Sequence, residues 1–385
     1  MTAISIILSL AFILCAPTAG PLFHGTTPSA FQQQAFEKQV NVAPGQKLLL
    51  DLETGGGVTI TGWGQNMASV KVQSGGRDWQ DCKVDIEPTA EGVKVTSQYI
   101  GDRNNHSTSF HFDIQVPQTF NLDIRSAGGA LTISNLEGTM TGSTGGGNMS
   151  ISDAKGQAHL STGGGSILVK NSTLDGSVST GGGRVLIQDV SGDLTGHSGG
   201  GNVELKNVTR RSGESTGEEV KITNAGGQID VDSAPSGADV RTGGGRIHVK
   251  SARGFVKAST GGGAIDIDSV DGSVKASTGA GRVNVTLAGD GGGHDVSITS
   301  GTGDIILTVP PNFSMNLDLK LGYTREDKSH QIVSDFAMNQ QSTDEWSSGE
   351  GTPRKYVIGT GSVGTGENKI HIRTVNGNIY IKRGQ

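Results

Sequence analysis

The sequence has few aromatic residues, few cysteines and no excess of positive charge. Aromatic side chains make up 4% of the 385 residues, which argues against a sugar cleft lined with stacking rings. Only two cysteines are present, Cys15 and Cys82, so a disulfide framework does not hold this fold together. The formal net charge of −6 leaves no electrostatic footprint for nucleic acid, which is therefore not an expected partner.

Long apolar runs are also scarce. The main one, Ile4 to Cys15, covers about 12 residues and is too short to cross a bilayer comfortably. Ala-Pro-Thr-Ala-Gly follows at 16–20, so we interpret residues 1–20 as a signal peptide and expect a periplasmic, cell-surface or extracellular protein. No Lys or Arg precedes the run. An uncleaved segment that attaches the chain to the membrane is therefore the alternative.

Glycine is abundant instead, with 62 residues, about twice its usual share. Its placement is periodic, with steps of 18 residues from 143 to 197 and again from 241 to 277. A fixed short period predicts a repeat architecture in which each unit is stabilised by its neighbours. The recurring motif is STGGGNMSI at 143, STGGGSILV at 161, STGGGRVLI at 179, HSGGGNVEL at 197, RTGGGRIHV at 241, STGGGAIDI at 259 and STGAGRVNV at 277.

Each motif opens a short strand with one apolar face. Ile265 and Ile267 alternate with Asp266 and Asp268, and the two apolar positions recur in every repeat. Two apolar columns therefore predict a continuous inward face. One column is Leu131, Met149, Ile167, Val185, Val203, Ile229, Ile247, Ile265 and Val283; the other is Ile133, Ile151, Val169, Ile187, Leu205, Val231, Val249, Ile267 and Val285.

The glycine triplet is the predicted corner between two strands of one repeat. Glycine reaches positive φ without penalty and lets neighbouring backbones approach closely. We therefore expect Gly164→Val to lower the melting midpoint clearly and Asp268→Ser to leave it almost unchanged. Residues 215–222 are eight extra residues that interrupt the period, and we interpret them as a bulged or hairpin-like extension.

The pattern divides the chain into five predicted segments. After the signal, the β-like stretches of the second and third segments lack the 18-residue period, and the last segment ends in strand, Asn-Gly turn and strand, which is typical of a hairpin. The segments are a signal peptide (1–20), a tether or first strand (21–45), a β-rich N-terminal cap (46–124), a regular glycine-rich solenoid (125–308) and a C-terminal portion (309–385) with a long polar loop (324–353) and a closing hairpin.

These pieces together resemble a bacterial adhesin-like family of glycine-rich β-strand-repeat proteins, a domain of unknown function. The resemblance covers nearly all of the chain after the signal and rests on the stretch that begins at Phe36, on Gly57-Val-Thr-Ile-Thr-Gly-Trp, on the STGGG corners and on the closing Thr374-Val-Asn-Gly-Asn-Ile-Tyr-Ile. It implies an all-β, right-handed β-solenoid similar to a parallel β-helix, with about 18 residues per turn and an envelope or surface location. It supplies no catalytic residues.

Four aspartates on the predicted solvent-facing side of the strands suggest either calcium binding or polysaccharide cleavage. Calcium-binding β-rolls use a nine-residue period, whereas this period is 18 and His248 and Lys250 occupy the intervening matching positions. Paired acids on one wall also occur in polysaccharide-cleaving β-helix proteins, which keeps a hydrolase or lyase as the alternative function. The simpler interpretation is a solvated face whose opposite charges set the register. The aspartates are Asp230, Asp232, Asp266 and Asp268.

Two further motifs suggest other kinds of binding site. Residues 359–364, Gly-Thr-Gly-Ser-Val-Gly, match a dinucleotide-binding pattern by letters, but β-like sequence follows where a helix is needed. A column of threonines presents either a surface hydroxyl array for ice or glycan, or corner residues that cap backbone groups. The column is Thr144, Thr162, Thr180, Thr242, Thr260 and Thr278.

The sequence favours an exported, non-enzymatic module with an adhesive or structural role. Binding is expected along a lateral wall of stacked side chains, with a surface glycan or an envelope or matrix protein as partner. We assign no catalytic, cofactor-binding or metal-ligating residue, and we expect no cofactor. Membrane attachment is expected only through an uncleaved N-terminal segment.

Overall fold

The computed structural model of the chain describes residues 34–101, 107–209, 219–289, 293–327, 329–347 and 352–384. The predicted signal peptide and the first part of the predicted tether lie outside the described residues. Described residues form strands and connections, with one 3₁₀ helix at Trp79–Asp81 and no α-helix. The expectation of an all-β chain is confirmed.

The strands are β1 (Gln34–Asn41), β2 (Lys47–Leu52), β3 (Gly57–Trp63), β4 (Met67–Gly76), β5 (Cys82–Thr89), β6 (Gly92–Tyr99), β7 (Thr108–Pro117), β8 (Asn121–Ser126), β9 (Leu131–Ser134), β10 (Glu137–Thr144), β11 (Met149–Ser152), β12 (Lys155–Thr162), β13 (Ile167–Thr180), β14 (Val185–Ser191), β15 (Leu194–Ser198), β16 (Val203–Thr209), β17 (Val220–Asn224), β18 (Ile229–Val231), β19 (Ala238–Thr242), β20 (Ile247–Val249), β21 (Ala252–Thr260), β22 (Ile265–Thr278), β23 (Val283–Leu287), β24 (Val296–Ser300), β25 (Ile305–Val309), β26 (Met315–Tyr323), β27 (Ile332–Ser334), β28 (Asn339–Ser342), β29 (Lys355–Val363), β30 (Asn368–Val375) and β31 (Ile379–Arg383).

Most strands belong to one of two parallel ladders. Strands that lead into a glycine corner pair with the equivalent strands before and after them, as β10 does with β8 and β12, and we call this series the first ladder. Strands that leave a corner pair in the same way, as β11 does with β9 and β13, and form the second ladder. Glu137 lies opposite Lys155 and Ile167 opposite Val185, an offset of 18 residues in both ladders.

The apolar columns of the sequence lie in register inside the molecule. Ile167 is opposite Val185, Val185 is opposite Val203, and all three are at most 1% exposed. A Cβ on Gly196 of the first ladder would lie within 3.6 Å of side-chain atoms of Val185 and Val203 of the second. The inner faces of the two ladders therefore pack against each other, and their contact is the core.

The glycine corner is constrained at two of its three positions. A Cβ on Gly163 would lie 2.2 Å from the carbonyl oxygen of Gly145, and one on Gly165 would lie 1.8 Å from that of Gly147. A Cβ on Gly164 would meet nothing within 4 Å. This open space gives no steric support to the predicted effect of Gly164→Val, because the close approach of successive corners involves its two neighbours.

A second corner follows the second-ladder strands and uses Asn or Asp where glycine is common elsewhere. These residues have φ between 48° and 55°, a left-handed conformation that Asn and Asp tolerate better than other side chains. They recur every 18 residues, as Asn135, Asp153, Asn171, Asp189 and Asn207.

The repeat register extends further toward the N-terminus than the predicted boundary at 125. Lys47 of β2 lies opposite Asn121 of β8, and Val58 of β3 lies opposite Leu131 of β9. The stretch 53–60, Glu-Thr-Gly-Gly-Gly-Val-Thr-Ile, is thus a further copy of the corner. Its strands were not recognised as part of the repeat, because some 60 residues intervene before β8 continues the ladder.

The intervening segment caps this end of both ladders. β6 continues the first ladder in parallel beyond β2, and β5 pairs with β6 antiparallel. β7 continues the second ladder beyond β3, and β4 and then β1 follow it antiparallel. The prediction of a β-rich portion here agrees with this arrangement, although part of it is repeat.

The predicted C-terminal hairpin is wrong. β30 pairs in parallel with β24 and β26, and β31 pairs in parallel with β25 and β27, whereas no pairing joins β30 to β31. Thr374 donates its hydroxyl proton to the carbonyl oxygen of Gly303 at 2.7 Å, as the corner threonines do. The Asn-Gly pair at 376–377 therefore occupies a repeat corner, and ladder hydrogen bonds outweigh the local hairpin preference.

Two other predicted irregularities also differ in detail. The stretch 324–353 is not a loop throughout, since it contains β27 and β28, and β28 pairs antiparallel with β29. Within 215–222, Val220 and Ile222 belong to β17 and lie opposite Ala238 and Val240, so these positions follow the ordinary register. Residues 215–218 lie outside the described residues.

Candidate functional site

The threonine column is not a surface array. Thr260 is 5% exposed and donates its hydroxyl proton to the carbonyl oxygen of Gly245 at 2.8 Å, while it accepts a hydrogen bond from the backbone N–H of Gly263 at 3.2 Å. Thr162 and Thr180 make the same contacts to Gly147 and Gly165. The capping interpretation is confirmed, and burial excludes these hydroxyls from contact with ice or glycan.

The aspartates predicted on the outer face are held by neighbouring cations and amides. Asp266 accepts a hydrogen bond from Arg246 at 2.9 Å and another from Asn284 at 2.9 Å. His248 lies opposite Asp230 and Asp266 in the ladder, 3.6 Å from a carboxylate oxygen of Asp230. The outer face of the second ladder is therefore a network in which acidic side chains contact Arg246, Asn284 and His248.

His248 also contacts Asp268, with 2.8 Å between its Nε2 atom and a carboxylate oxygen. Another carboxylate on this face, Glu204, receives hydrogen bonds from Arg184 and Lys206. Partial burial pushes the pKa of Glu204 upward, but the hydrogen bonds from these cations outweigh it and leave the pKa below its ordinary value. These contacts agree with a solvated face that sets the register.

A surface of opposite character lies on the outer face of the first ladder, toward its C-terminal end. Lys257 lies opposite Lys275, and Arg373 lies opposite Lys320, so cations from separate repeats are adjacent. We call this surface the basic strip; it consists of Lys257, Lys275, Lys369, Arg373, Lys320 and Arg354.

Most cations of the basic strip have no acidic partner. Among the described residues, no carboxylate lies within 4.0 Å of the side-chain nitrogens of Lys257, Lys275 or Lys369, which are exposed. The same holds for Lys320 and Arg354, which are half-buried. On a chain with a net charge of −6, these cations form a local positive surface.

A cavity of about 360 Å³ opens at the end of the basic strip. Lys320, Arg354 and Arg373 all contribute to its walls, together with the ring of Tyr356. Lys320 Nζ lies 4.0 Å from the centroid of the Tyr356 ring, a cation–π contact. The Nε atom of Arg354 is buried and has no hydrogen-bond partner.

Arg373 is the exception in the strip because it is paired. It donates to the carboxylate of Asp318 at 2.6 Å and to the backbone carbonyl of the same residue at 2.8 Å. His371 lies 2.8 Å from that carboxylate. The hydrogen bond from Arg373, with a smaller contribution from His371, holds the pKa of Asp318 below its ordinary value despite partial burial.

A second concavity of about 330 Å³ continues along the strip. Lys257, Lys275 and Lys369 line it together with Phe255 and His371. Lys257 Nζ lies 4.7 Å from the centroid of the Phe255 ring. Lys369 also donates its backbone N–H to the carboxylate of Asp295 at 2.8 Å, so an acid is present at this edge of the strip.

Other site types find no support in the described part of the chain. No group of three or more His, Cys, Asp or Glu side chains there is placed to hold a metal ion. Residues 359–363 of the glycine-rich 359–364 motif lie in β29, so no helix follows to bind a pyrophosphate. No helix within the described ranges has the length and apolar character of a membrane span.

Comparisons with known proteins find similar solved structures but no matching family. No protein-family model and no curated protein matches the chain. Among solved structures, it is similar to a "putative adhesin" from Parabacteroides distasonis (12% identity, 91% of this chain and 97% of that one, TM-score 0.23). It is also similar to a "putative cell adhesion protein" from Clostridium sporogenes (11%, 91% and 100%, TM-score 0.17) and to a "putative lipid binding protein" from P. distasonis (11%, 90% and 96%, TM-score 0.28). At such TM-scores the likeness carries no argument about function.

The basic strip was not predicted from the sequence. One signal was available, since Lys257 and Lys275 are 18 residues apart and a period of 18 places them side by side. The cavity had no such signal, because Lys320 and Arg354 lie in the segment between β25 and β30 that breaks the period.

Proposed function

We propose that this chain is an exported, non-enzymatic β-solenoid, right-handed with about 18 residues per turn, that serves as an adhesin-like or structural module of the cell envelope. One observation supports it above all. The parallel register places outward side chains of successive repeats side by side, which builds long lateral faces. Such faces suit extended ligands, so a surface glycan or an envelope or matrix protein is the proposed partner.

The arrangement of the wall aspartates favours binding over catalysis. A glycosidase needs one carboxyl group free to donate a proton and a second placed across the bond. Asp266 is instead held by Arg246 and Asn284, and His248 lies between Asp266 and Asp230 in the ladder. In this proposal the aspartates stabilise the alignment of neighbouring strands. A polysaccharide-acting enzyme is the alternative function, and the test below distinguishes the two.

The test is a screen of the purified mature protein against acidic and neutral polysaccharides, with both binding and chain cleavage measured. Binding without new reducing ends or unsaturated ends supports the proposal. Cleavage that is abolished by Asp266→Asn and retained in Asp153→Asn, a corner aspartate away from the wall network, would overturn it.

Export is tested separately. We expect cell fractionation to place the protein outside the cytoplasm, and mass analysis to show a chain that starts close to residue 20. A full-length chain recovered with the membrane would instead support the uncleaved anchor, and a cytoplasmic location would contradict the proposal.

A further inference from the structure

We propose that the cavity at the end of the basic strip binds carboxylate groups of an acidic polysaccharide, whose chain continues along the strip. This inference rests on the proposed binding function and names its face and its ligand class. The ligand is defined by chemistry, as an extended polymer that carries carboxylates at intervals of several ångströms.

The cavity contains a guanidinium group with an unsatisfied hydrogen-bond donor. Arg354 Nε is buried without a hydrogen-bond partner, and no carboxylate pairs with this side chain among the described residues. A buried donor on a charged group is costly when it stays unpaired. A carboxylate in the cavity would satisfy it, because the planar guanidinium fork matches the two oxygens of a carboxylate.

Lys320 is positioned by the aromatic ring of Tyr356. A Cβ on Gly322 would lie 3.2 Å from the ring of Tyr356, so the ring fits closely against the bare backbone there. Lys320 lies over the same ring and on the wall of the cavity. An ammonium group positioned by an aromatic ring and lacking an acidic partner is available for an incoming anion without competition.

The basic strip extends from the cavity across several strands of the first ladder. From the cavity, the strip continues through Arg373 and Lys369 of β30, across β24, which carries no cation, to Lys275 of β22 and Lys257 of β21. Strands in a sheet are about 4.8 Å apart, so these cations are separated by one or two strand spacings, about 5–10 Å. A row of cations with this spacing complements an extended polyanion whose carboxylates are several ångströms apart.

The spacing also distinguishes a polysaccharide from nucleic acid. Duplex DNA carries one charge per about 1.7 Å of its axis, much denser than the strip. Asp318 and Asp295 interrupt the positive strip, and phosphates at the density of DNA would have to lie next to them, whereas carboxylates several ångströms apart can be placed opposite the cations. The Tyr356 ring is occupied by Gly322 and Lys320, so it is not an open platform for base stacking.

The experiment measures binding of the mature protein to immobilised polygalacturonate over a range of NaCl concentrations, with dextran and duplex DNA as comparison ligands. The main variant is Lys320→Gln/Arg354→Gln. The matched control, Lys170→Gln/Lys250→Gln, removes the same charge from exposed positions of the second ladder. Thermal melting confirms that each variant is folded.

We expect polygalacturonate binding that weakens with salt, a loss of about tenfold or more in the main variant and no change in the control. Arg354→Lys, which keeps the charge but removes the fork, should lose part of the affinity. Asp318→Asn should raise affinity about threefold, because it releases Arg373 from its carboxylate.

Three outcomes would overturn the inference: no binding of polygalacturonate, equal losses in the main variant and the control, or tighter binding of DNA. Binding of dextran but not of polygalacturonate, unchanged in the strip variants, would reject the inference while the proposed function stands. Cleavage of the polymer by the wild-type chain would instead reject the proposed function. If the main variant fails to fold, Arg354→Lys and Asp318→Asn decide the question.

Discussion

The hydroxyl of Thr260 donates to the carbonyl oxygen of Gly245, 2.8 Å away in the preceding repeat. Gly245 is itself a corner residue, where a Cβ would lie 2.2 Å from the carbonyl oxygen of Gly227 one repeat earlier. One corner is thus tied to the next by a side-chain hydrogen bond and by close backbone contact. This coupling makes the stability of each repeat depend on its neighbours.

Thr260→Val tests the hydrogen-bond part of this coupling. The substitution keeps the shape but leaves a buried carbonyl oxygen and an N–H without their partner, so we expect the free energy of unfolding to fall by about 1–3 kcal/mol. Ser259→Ala, at the exposed neighbouring position, is the control and should change it by less than about 0.5 kcal/mol. Denaturant unfolding of both variants measures the difference, and equal effects would contradict the role of the corner hydroxyl.

Gly165→Ala and Gly164→Ala test the backbone contact with one methyl group in adjacent positions. At Gly165 the methyl would lie 1.8 Å from the carbonyl oxygen of Gly147, so the corners must move apart. We expect a loss of more than about 3 kcal/mol there and less than about 1 kcal/mol at Gly164, which faces open space. Melting curves decide, and a larger effect at Gly164 would show that this account of the corner is wrong.

Asn207 tests the second corner. Its φ of 48° is unfavourable for most side chains, and its amide donates to Asp189 at 2.7 Å. We expect Asn207→Ala to lower the free energy of unfolding by about 1–2 kcal/mol, and Asn207→Gly to cost clearly less because glycine accepts this conformation.

The same variants report on Asp189. Hydrogen bonds from Asn207 and then from Gln188 hold the pKa of Asp189 below its ordinary value. In Asn207→Gly the larger of these bonds is lost, so the pKa of Asp189 should rise toward the ordinary range. NMR titration of the carboxylate carbon measures it, and an unchanged pKa would mean that Asn207 is not the main cause.

Asp318 gives a pH dependence of stability. Its pKa is lowered in the folded chain by Arg373, so the folded state binds the proton less readily than the unfolded state. The stabilisation is therefore present above the ordinary aspartate pKa of about 3.9 and is lost as the pH falls through the lower folded-state value. Because the side chain is 52% exposed, we expect at most about 1 kcal/mol.

The measurement is the urea midpoint between pH 5 and pH 2.5 for wild type and Asp318→Asn. The wild type should lose more stability over this interval than the variant, whose amide does not titrate. Parallel curves would contradict the assignment, since other carboxylates titrate equally in both proteins.

The buried columns of the repeats could be predicted from the sequence, whereas the strand pairing at the two ends of the ladders could not. The columns through Ile167 and Ile265 were predictable because the pattern alternates with period two inside a period of 18, and both residues are buried. The corner was located at the right triplet, but the glycines that meet the neighbouring corner could not be distinguished from the one that does not. Which of three identical residues meets the neighbouring corner depends on backbone direction, and no letter of the motif shows it.

At the ends, long-range pairing decided what local patterns could not. Asn376-Gly377 is a strong hairpin signal, yet β30 and β31 each pair with strands from an earlier repeat. Likewise β2 joins β8 across the intervening segment 53–120. A ladder that is already formed offers a strand edge on which a distant segment can continue the core, and this outweighs the preference of a two-residue turn.

The sequence by itself determined the all-β class, the repeat period and the inward faces, because burial and strand alternation act over a few residues. Only the tertiary structure decided which outer face carries unpaired charge. Lys320, Arg354 and Arg373 are distant in the chain, and they reach one cavity because β26 pairs with β29 on one side and with β30 on the other. Charge on a surface depends on which strands become neighbours, and that is a property of the assembled ladder.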